Sequence, residues 1–374
     1  MRLFSDLTID YVNKRKIGYI ISGTLILVSF ISFILHGIEL GIDFKGGTEI
    51  AVKFEKPVSI SQIRTSLANT GLGALEIKTF GGETGVLIRT ELQNVPQEVA
   101  PKFFKQIEES FAKISDSVKY SVAEKTESSV IYLFANDSLA SIANDKATLE
   151  GFQTSLEENK ISVRVAISDL LKEILKDKIT DNTFKIQKED LVGPKIGSEL
   201  KFNAILAVSL ALLVILIYLG FRFKLIFAVG AVIAAFHDVI ITLGAFSIIS
   251  FLFPTLSLEI SISVIAAFLT LVGYSINDTV IVFDRIREYL KIHKTAPIEE
   301  NINKAINRTM SRTVITSTTT LFTVFVLLLL GGEVLRAFAF TLFFGIVVGT
   351  YSSIFVASAI VYDYSQKYKK RIEF

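Results

Sequence analysis

The chain consists of apolar runs separated by one long hydrophilic stretch. The first run, residues 17–35, has 19 residues and no charge. As a helix rising about 1.5 Å per residue, it is long enough for a bilayer core of roughly 30 Å. Five more runs follow in the second half, at residues 202–219, 225–249, 261–283, 314–330 and 338–362. The pattern predicts six transmembrane helices, the last five joined by short links.

A signal peptide is the alternative interpretation of the first run, because the basic cluster Lys14-Arg15-Lys16 precedes it. The apolar run is longer than the core of a signal peptide, and no small-x-small cleavage site appears before His36. We therefore expect a retained membrane anchor.

The hydrophilic stretch, residues 36–200, has no spanning segment and carries 20 basic and 25 acidic residues. Strand-like alternation and helical spacing occur in turn along it. The segments are 48–54 (strand), 59–69 (helix), 74–80 and 85–90 (strands of a hairpin around Gly81-Gly82) and 95–114 (helix). This order predicts a separate α+β domain with its own core. Residues 116–182 are less regular, with a strand pattern at 130–134 and an amphipathic helix near 167–179.

Composition supports a membrane protein and excludes several other classes. The chain is 51% hydrophobic and 20% charged, and its formal net charge of +2 excludes a strongly basic protein that coats nucleic acid. The absence of cysteine excludes disulfides, thiolate zinc sites and a cysteine nucleophile. With three scattered histidines, we expect no bound metal, no cofactor and no catalytic residues.

The loop charges predict the orientation. Seventeen Lys and Arg residues lie before the first run, between the second and third, between the fourth and fifth, and after the last. In the two short loops on the opposite side, Arg336 is the only basic residue. Because basic residues accumulate on the cytoplasmic side, we expect cytoplasmic termini and a hydrophilic domain on the outer face.

Ionisable residues inside the apolar runs are the candidate functional groups, because placing a charge there costs about 2.5 to 3.5 kcal/mol on the mildest scale. Asp238 lies in the third run beside His237, and Asp278 lies in the fourth. Around Asp278 a polar stripe recurs at helical spacing, and we expect it to face the bundle; its members are Thr270, Tyr274, Asn277 and Asp284. A second stripe opens the fifth run, with Arg312, Thr316, Thr319 and Thr323.

Two hypotheses fit these residues. In the first, Asp278 is a proton relay whose pKa is set by the opposite charge of Arg312, with Asp238, His237, Asn277 and Tyr274 as possible further members. In the second, the polar side chains only hold the helices together by hydrogen bonds and titrate nothing. A buried Asp opposite an Arg favours the relay.

Five sequence blocks, in order, resemble the SecF branch of the SecD/SecF family of bacterial protein export, within the resistance-nodulation-division superfamily of proton-driven transporters. They are GIDFKGGTEI (41–50), VGPKIGSEL (192–200), YLGFRFK (218–224), GYSINDTVIVFDRIRE (273–288) and SRTVITSTTT (311–320). The resemblance covers residues 1–114 and 186–362. The family's acidic residue in GYSxND falls on Asp278, and its arginine in RTxITS falls on Arg312.

The resemblance implies a polytopic α-helical protein of the bacterial inner membrane, with six transmembrane helices and an α+β ferredoxin-like extracytoplasmic domain between helices 1 and 2. The expected regions are residues 1–36, 37–201 and 202–374. It further implies pairing with SecD, association with the SecYEG channel, and proton-driven movement of unfolded preproteins across the lipid bilayer. No nucleic acid and no enzymatic reaction are expected.

One departure from the family pattern is an extra stretch of roughly 65 residues, at about 116–182, far longer than an ordinary loop. It puts a simple ferredoxin-like topology in doubt.

Three other functions remain as alternatives. The first is half of a small-molecule efflux transporter. That class has about twelve spans and two large outer loops in one chain, whereas six spans and one large loop are predicted here. An intramembrane aspartyl protease would use Asp238 and Asp278 as a dyad, but neither residue lies in a GxGD-type motif. A non-titrating membrane scaffold would tolerate Asp278→Asn.

Overall fold

The computed structural model describes residues 8–68, 70–114, 119–256 and 258–368. The described chain forms two compact units. One contains residues 45–197, and the other contains the described residues of 1–44 and 198–374.

The elements, in chain order, are α1 (Tyr11–Leu35), α2 (Ile42–Lys45), β1 (Gly47–Phe54), α3 (Ile60–Leu67), β2 (Leu75–Thr79), β3 (Gly85–Thr90), α4 (Ala100–Ala112), β4 (Tyr120–Lys125), β5 (Ser129–Phe134), α5 (Asp137–Leu149), β6 (Gln153–Glu157), β7 (Lys160–Arg164), α6 (Ile167–Lys178), β8 (Phe184–Val192), α7 (Pro194–Arg222), α8 (Leu225–Leu252), α9 (Ile262–Ile292), α10 (Ile298–Leu330), α11 (Gly332–Ser352), a π-helical turn (Ser353–Ala357) and α12 (Ser358–Tyr368).

The helical unit confirms the prediction of six membrane helices. Within the described residues, six helices are long and apolar enough to cross a membrane: α1, α7, α8, α9, α10 and the continuous segment Gly332–Lys367 formed by α11, the π turn and α12. Helix α7 begins at Pro194, before the apolar run that predicted it. A proline suits this first position because its missing N–H would have no partner there.

Small residues bring the helices of this unit close together. A side chain at Gly244 on α8 has no room, because its Cβ would lie 2.9 Å from the backbone Cα of Ser29 on α1. The GIVVG segment (345–349) of α11 makes a similar contact: a Cβ at Gly345 would lie 2.4 Å from Leu271, and one at Gly349 would lie 3.2 Å from Ser275, both on α9. Close approach of backbones through small residues is the usual means of packing helices in lipid.

The first sheet of the α/β unit has the ferredoxin-like order. Its four strands are antiparallel and lie side by side as β2-β3-β1-β8. The strand predicted at 48–54 is β1, and the predicted hairpin is β2–β3, whose turn contains Gly81 and Gly82 with φ of 67° and 105°. These positive φ values favour glycine because it has no Cβ.

The stretch at 116–182 forms a second sheet of the same kind, apart from residues 116–118, which lie outside the described chain. Its strands are antiparallel in the order β4-β5-β7-β6. The strand and helix predicted within it are β5 and α6. The pattern β-α-β-β-α-β therefore occurs twice, first as β1-α3-β2-β3-α4-β4 and then as β5-α5-β6-β7-α6-β8.

The two copies exchange their last helix and strand. Strand β4 pairs with β5 of the second copy, and β8 pairs with β1 of the first. The last helix of each copy is exchanged together with its strand. Phe111 of α4 packs edge-on against Tyr132 and Phe134 of β5, and Ser168 of α6 donates a 2.7 Å hydrogen bond to Glu189 of β8. The extra stretch thus contains all four strands of the second sheet together with α5 and α6, and one hydrophobic core contains residues of both copies.

An ion-pair cluster lies on the first sheet. Arg89 of β3 is buried and contacts Glu49 of β1 and Glu76 of β2. Burial on its own would raise the pKa of Glu76, but the hydrogen bond from Lys78 and the charges of Lys78, Arg89 and Lys45 outweigh it and lower that pKa to about 2.

We expect Glu76 to stabilise the fold near neutral pH and to lose this effect in acid. Its pKa is lower in the folded chain than the ordinary 4.5, so the contribution is complete above pH 4.5 and disappears as the pH falls towards 2. Because Glu76 is 37% exposed, the effect is small. Thermal unfolding of wild type and Glu76→Gln should show a difference in Tm near neutral pH that vanishes in acid. The exposed Glu98→Gln is the control, and a difference independent of pH would contradict the assignment.

Candidate functional site

Asp278 is held between three helical segments. It lies on α9 and is 4% exposed. Thr313 of α10 donates a hydrogen bond to its Oδ1 at 2.9 Å, and Ser353, the first residue of the π turn, donates one to its Oδ2 at 2.8 Å. Both carboxylate oxygens therefore have neutral hydroxyl partners. A hydroxyl group can also accept a hydrogen bond, so the same pocket can hold the protonated carboxyl group.

Arg312 precedes Thr313 but does not share its burial. Its side chain is exposed and lines a cavity of about 1240 Å³ in the helical unit. Arg222, Asp284 and Arg308 also line this cavity. Among the described residues, the side-chain hydrogen bonds to Asp278 come from Thr313 and Ser353 rather than from Arg312.

The predicted orientation of the α9 stripe is wrong. Thr270, Asn277 and Asp284 are exposed in this chain, and Tyr274 is half-buried with its hydroxyl 3.5 Å from Ser317 of α10. The face that packs into the bundle is the neighbouring one, which contains Asp278; its buried members also include Leu271, Ser275 and Val282.

The stripe predicted on α10 is also turned outward. Thr316, Thr319 and Thr323 are exposed, and each hydroxyl donates to the carbonyl oxygen four residues earlier in its own helix. The face of α10 that meets α9 and α11 instead presents Thr313 and Ser317. Polar stripes on α9 and α10 therefore form an exposed surface of this chain rather than an internal contact.

Asp238 is the centre of a second polar network and is completely buried. Its Oδ1 lies 2.9 Å from Nδ1 of His237, and its Oδ2 accepts hydrogen bonds from Ser275 at 2.6 Å and Ser352 at 2.8 Å. The other ring nitrogen of His237 lies 3.0 Å from Oγ of Ser22 on α1. The structure thus joins His237 and Asp238, as their adjacency suggested.

Sequence reasoning missed the hydroxyl residues that hold the two carboxylates. These are Ser275, Thr313, Ser352 and Ser353. A weak signal was present: Ser275 lies three residues before Asp278, and Ser352-Ser353 interrupt an apolar run. Serine and threonine are common in membrane helices, however, so neither position stands out without the fold.

No cluster of His, Cys, Asp and Glu that could hold a metal ion occurs among residues 8–368 as far as the structure describes them.

Two family models match the chain. The model described as "Protein export membrane protein SecD/SecF, C-terminal" matches residues 171–367, and the "SecD/SecF GG Motif" model matches residues 31–58. Among curated relatives, the protein translocase subunit SecF of Rhodothermus marinus is 40% identical over 363 residues, which are 97% of this chain and 95% of the relative. That of Calditerrivibrio nitroreducens is 37% identical, over 96% of this chain and 94% of the relative.

Solved structures agree. The crystal structure of SecDF, a translocon-associated membrane protein from Thermus thermophilus, matches with a TM-score of 0.65 and 30% identity over 96% of this chain. A SecDF structure in a super-membrane-facing form matches with a TM-score of 0.58 and 30% identity over 98%. This chain spans only 39% and 40% of those longer chains. The chain therefore belongs to the SecD/SecF family of protein export membrane proteins and groups with its SecF subunits.

Proposed function

We propose that this chain is the SecF half of a proton-driven accessory of protein export, in which Asp278 binds and releases the driving proton. The observation that carries the proposal is the pocket of Asp278. An ionisable group inside a membrane helix is energetically costly, and such groups are therefore rare and usually mark a functional site. Its partners, Thr313 and Ser353, are neutral and suit either protonation state.

The proposed partner is SecD. The SecDF chains are about two and a half times as long as the part matched here, so a partner would supply the remainder. The exposed stripes of α9 and α10, which include Asn277 and Thr316, suit such a partner because polar groups facing lipid are unfavourable. We place the α9–α10 surface against SecD, with Arg312 at the boundary.

The proposed location is the bacterial inner membrane, with both termini in the cytoplasm and the α/β unit outside. The support is the distribution of basic residues. The SecYEG channel, an emerging unfolded preprotein and the surrounding lipid are the further partners proposed. Each proton that crosses the membrane carries about 2.3 kcal/mol per 100 mV, so a few protons suffice for a conformational stroke.

The mechanism follows from the contacts of Asp278. When it is ionised, it accepts hydrogen bonds from α10 and the π turn. When it binds a proton, its O–H becomes a donor, and Thr313 or Ser353 has to turn. The packing of α9 against α10 and the π turn then changes. We propose that this change moves the α/β unit, which grips or releases the preprotein.

The direct test is export in cells that depend on this chain, with the proton gradient present or removed by a protonophore. We expect the stimulation of export by this chain to disappear without the gradient, while the protein remains in the membrane. Cells that lack the chain are the control for gradient effects on the channel itself. Stimulation that persists without the gradient would favour a non-titrating scaffold.

The remaining alternatives are less well supported. An efflux transporter half would act on small molecules, and drug susceptibility of the same cells distinguishes it. An aspartyl protease needs its two carboxyl groups to face one scissile bond. Here Asp238 and Asp278 are each bound to a different serine of the 352–353 pair, which does not favour a shared dyad.

A further inference from the structure

The two buried carboxyl groups are linked through neighbouring residues on two different helices. On one side, Ser352 donates to Asp238 and the next residue, Ser353, donates to Asp278, both at 2.8 Å. On the other side, α9 carries both Asp278 and Ser275, and Ser275 donates to Asp238 at 2.6 Å. We infer that Ser352 and Ser353 couple the proton occupancy of Asp278 to that of the Asp238–His237 pair, which acts as a second proton-binding site. This inference rests on the proposed proton relay.

Each serine of the pair has a second acceptor. Oγ of Ser352 lies 3.1 Å from the carbonyl oxygen of Gly349, and Oγ of Ser353 lies 3.0 Å from that of Thr350. A hydroxyl group has one proton to donate, so it can point either to the carboxylate or to its own helix. When Asp278 is protonated, its O–H donates to Ser353, and the hydroxyl proton of Ser353 turns to the carbonyl of Thr350. No bond other than hydrogen bonds changes in this step.

The backbone at this point is suited to respond. The π turn begins at Ser353, directly after Ser352. Single π turns inside α-helices are rare and occur frequently at functional sites. A change in the partner of Ser353 therefore acts on the residue next to it, and the coupling is reciprocal because it is a free energy shared by two sites.

The network continues from Asp238 to the first helix. His237 contacts Ser22, whose Oγ lies 3.2 Å from the hydroxyl of Tyr351, and Tyr351 donates to the carbonyl of Gly18 at 2.7 Å. The ionisable groups in contact with the network from the described packing elements are His237 on α8, Tyr351 on α11 and Asp278 on α9, and α1 contributes the neutral Ser22. On α10 the neutral Thr313 contacts Asp278, and the adjacent Arg312 is exposed. The second site thus places a proton acceptor between α1 and α11.

The inference can be tested by infrared titration of the complex with its SecD partner in membranes. A protonated carboxyl group gives a C=O stretching band in the infrared spectrum. The band that is present in wild type and missing in Asp278→Asn is assigned to Asp278. We expect Asp238→Asn to shift the midpoint of that band by about one pH unit, a tenfold change in proton affinity within the usual range of couplings. In the Ser352→Ala background, and likewise with Ser353→Ala, Asp238→Asn should shift the midpoint much less.

Ser358→Ala is the matched control. Ser358 is buried in the same segment, but within the described part of the chain its hydroxyl donates to the backbone carbonyl oxygens of Ser353 and Ile354 and to neither carboxylate. This variant should leave the full coupling in place. The inference would be overturned if Asp238→Asn left the pH midpoint of the Asp278 band unchanged. It would also be overturned if Asp238→Asn still produced the full shift in both the Ser352→Ala and the Ser353→Ala backgrounds.

The outcomes separate this inference from the proposed function. If Asp278→Asn stops proton-driven export but Asp238→Asn does not move the Asp278 band, the relay stands and the coupling falls. If the coupling is present but Asp278→Asn exports normally, the second site stands and the proposed function falls.

Discussion

Asp278→Asn is expected to reduce the proton-driven stimulation of export to background while the chain still accumulates and assembles. Asparagine has nearly the same shape, and its Oδ1 can accept the hydrogen bond from Thr313. Its amide group can donate to Oγ of Ser353, because that serine has the carbonyl of Thr350 as another acceptor. The pocket therefore tolerates the change, but no proton can be bound and released. The measurement is export together with proton flux in membrane vesicles.

Asp284→Asn is the matched control for this prediction. Asp284 is on the same helix, but it is exposed and lines the cavity. This change removes the same charge without touching the pocket of Asp278, so export should remain close to wild type. Normal export and proton flux in Asp278→Asn would show that Asp278 is only a structural hydrogen-bond partner.

The helices and the first sheet could be predicted because their signals are local. An uncharged run such as 17–35 identifies a membrane helix without tertiary information, and alternation at 48–54 identifies a strand. The exchange between the two β-α-β-β-α-β copies has no such signal. The apolar face of α4, with Phe111 at its centre, would suit either sheet, and only the contact with Tyr132 and Phe134 decides. The stretch that looked like an insertion therefore supplies α6 and β4 to the unit.

The site was predictable in its acids and not in their surroundings. Asp238 and Asp278 could be identified because charge inside an apolar run is costly. Their helix faces were assigned on the assumption that polar residues turn toward the bundle of one chain. That rule fails here because Asn277 and Thr316 are exposed, on the surface we assign to a partner. The hydroxyl pair Ser352-Ser353 was missed because its role depends on the π turn and on two other helices.

Arg312→Met is expected to remove the proton-driven stimulation as completely as Asp278→Asn, and Arg312→Lys should retain most of it. Arg312 carries a permanent positive charge and directly precedes Thr313, while the hydrogen bonds to Asp278 come from Thr313 and Ser353. Without the cation, the ionised carboxylate loses its balancing charge inside the membrane, where a single charge costs about 2.5 to 3.5 kcal/mol. Lysine restores that charge but not the planar set of N–H donors of the arginine guanidinium group. The measurement is again export with proton flux.

Arg308→Met is the matched control, since Arg308 lies one helical turn earlier, is exposed and lines the same cavity. It should leave export almost unchanged, because Arg308 does not adjoin Thr313, the residue that donates a hydrogen bond to Asp278. Equal losses in both methionine variants would mean that the total charge of the cavity matters, and would contradict a specific role for Arg312. Loss of function in Arg312→Lys would show that charge alone is insufficient. The guanidinium group would then have to make a directed contact, and the proposed partner at the exposed α9–α10 surface would be the candidate for it.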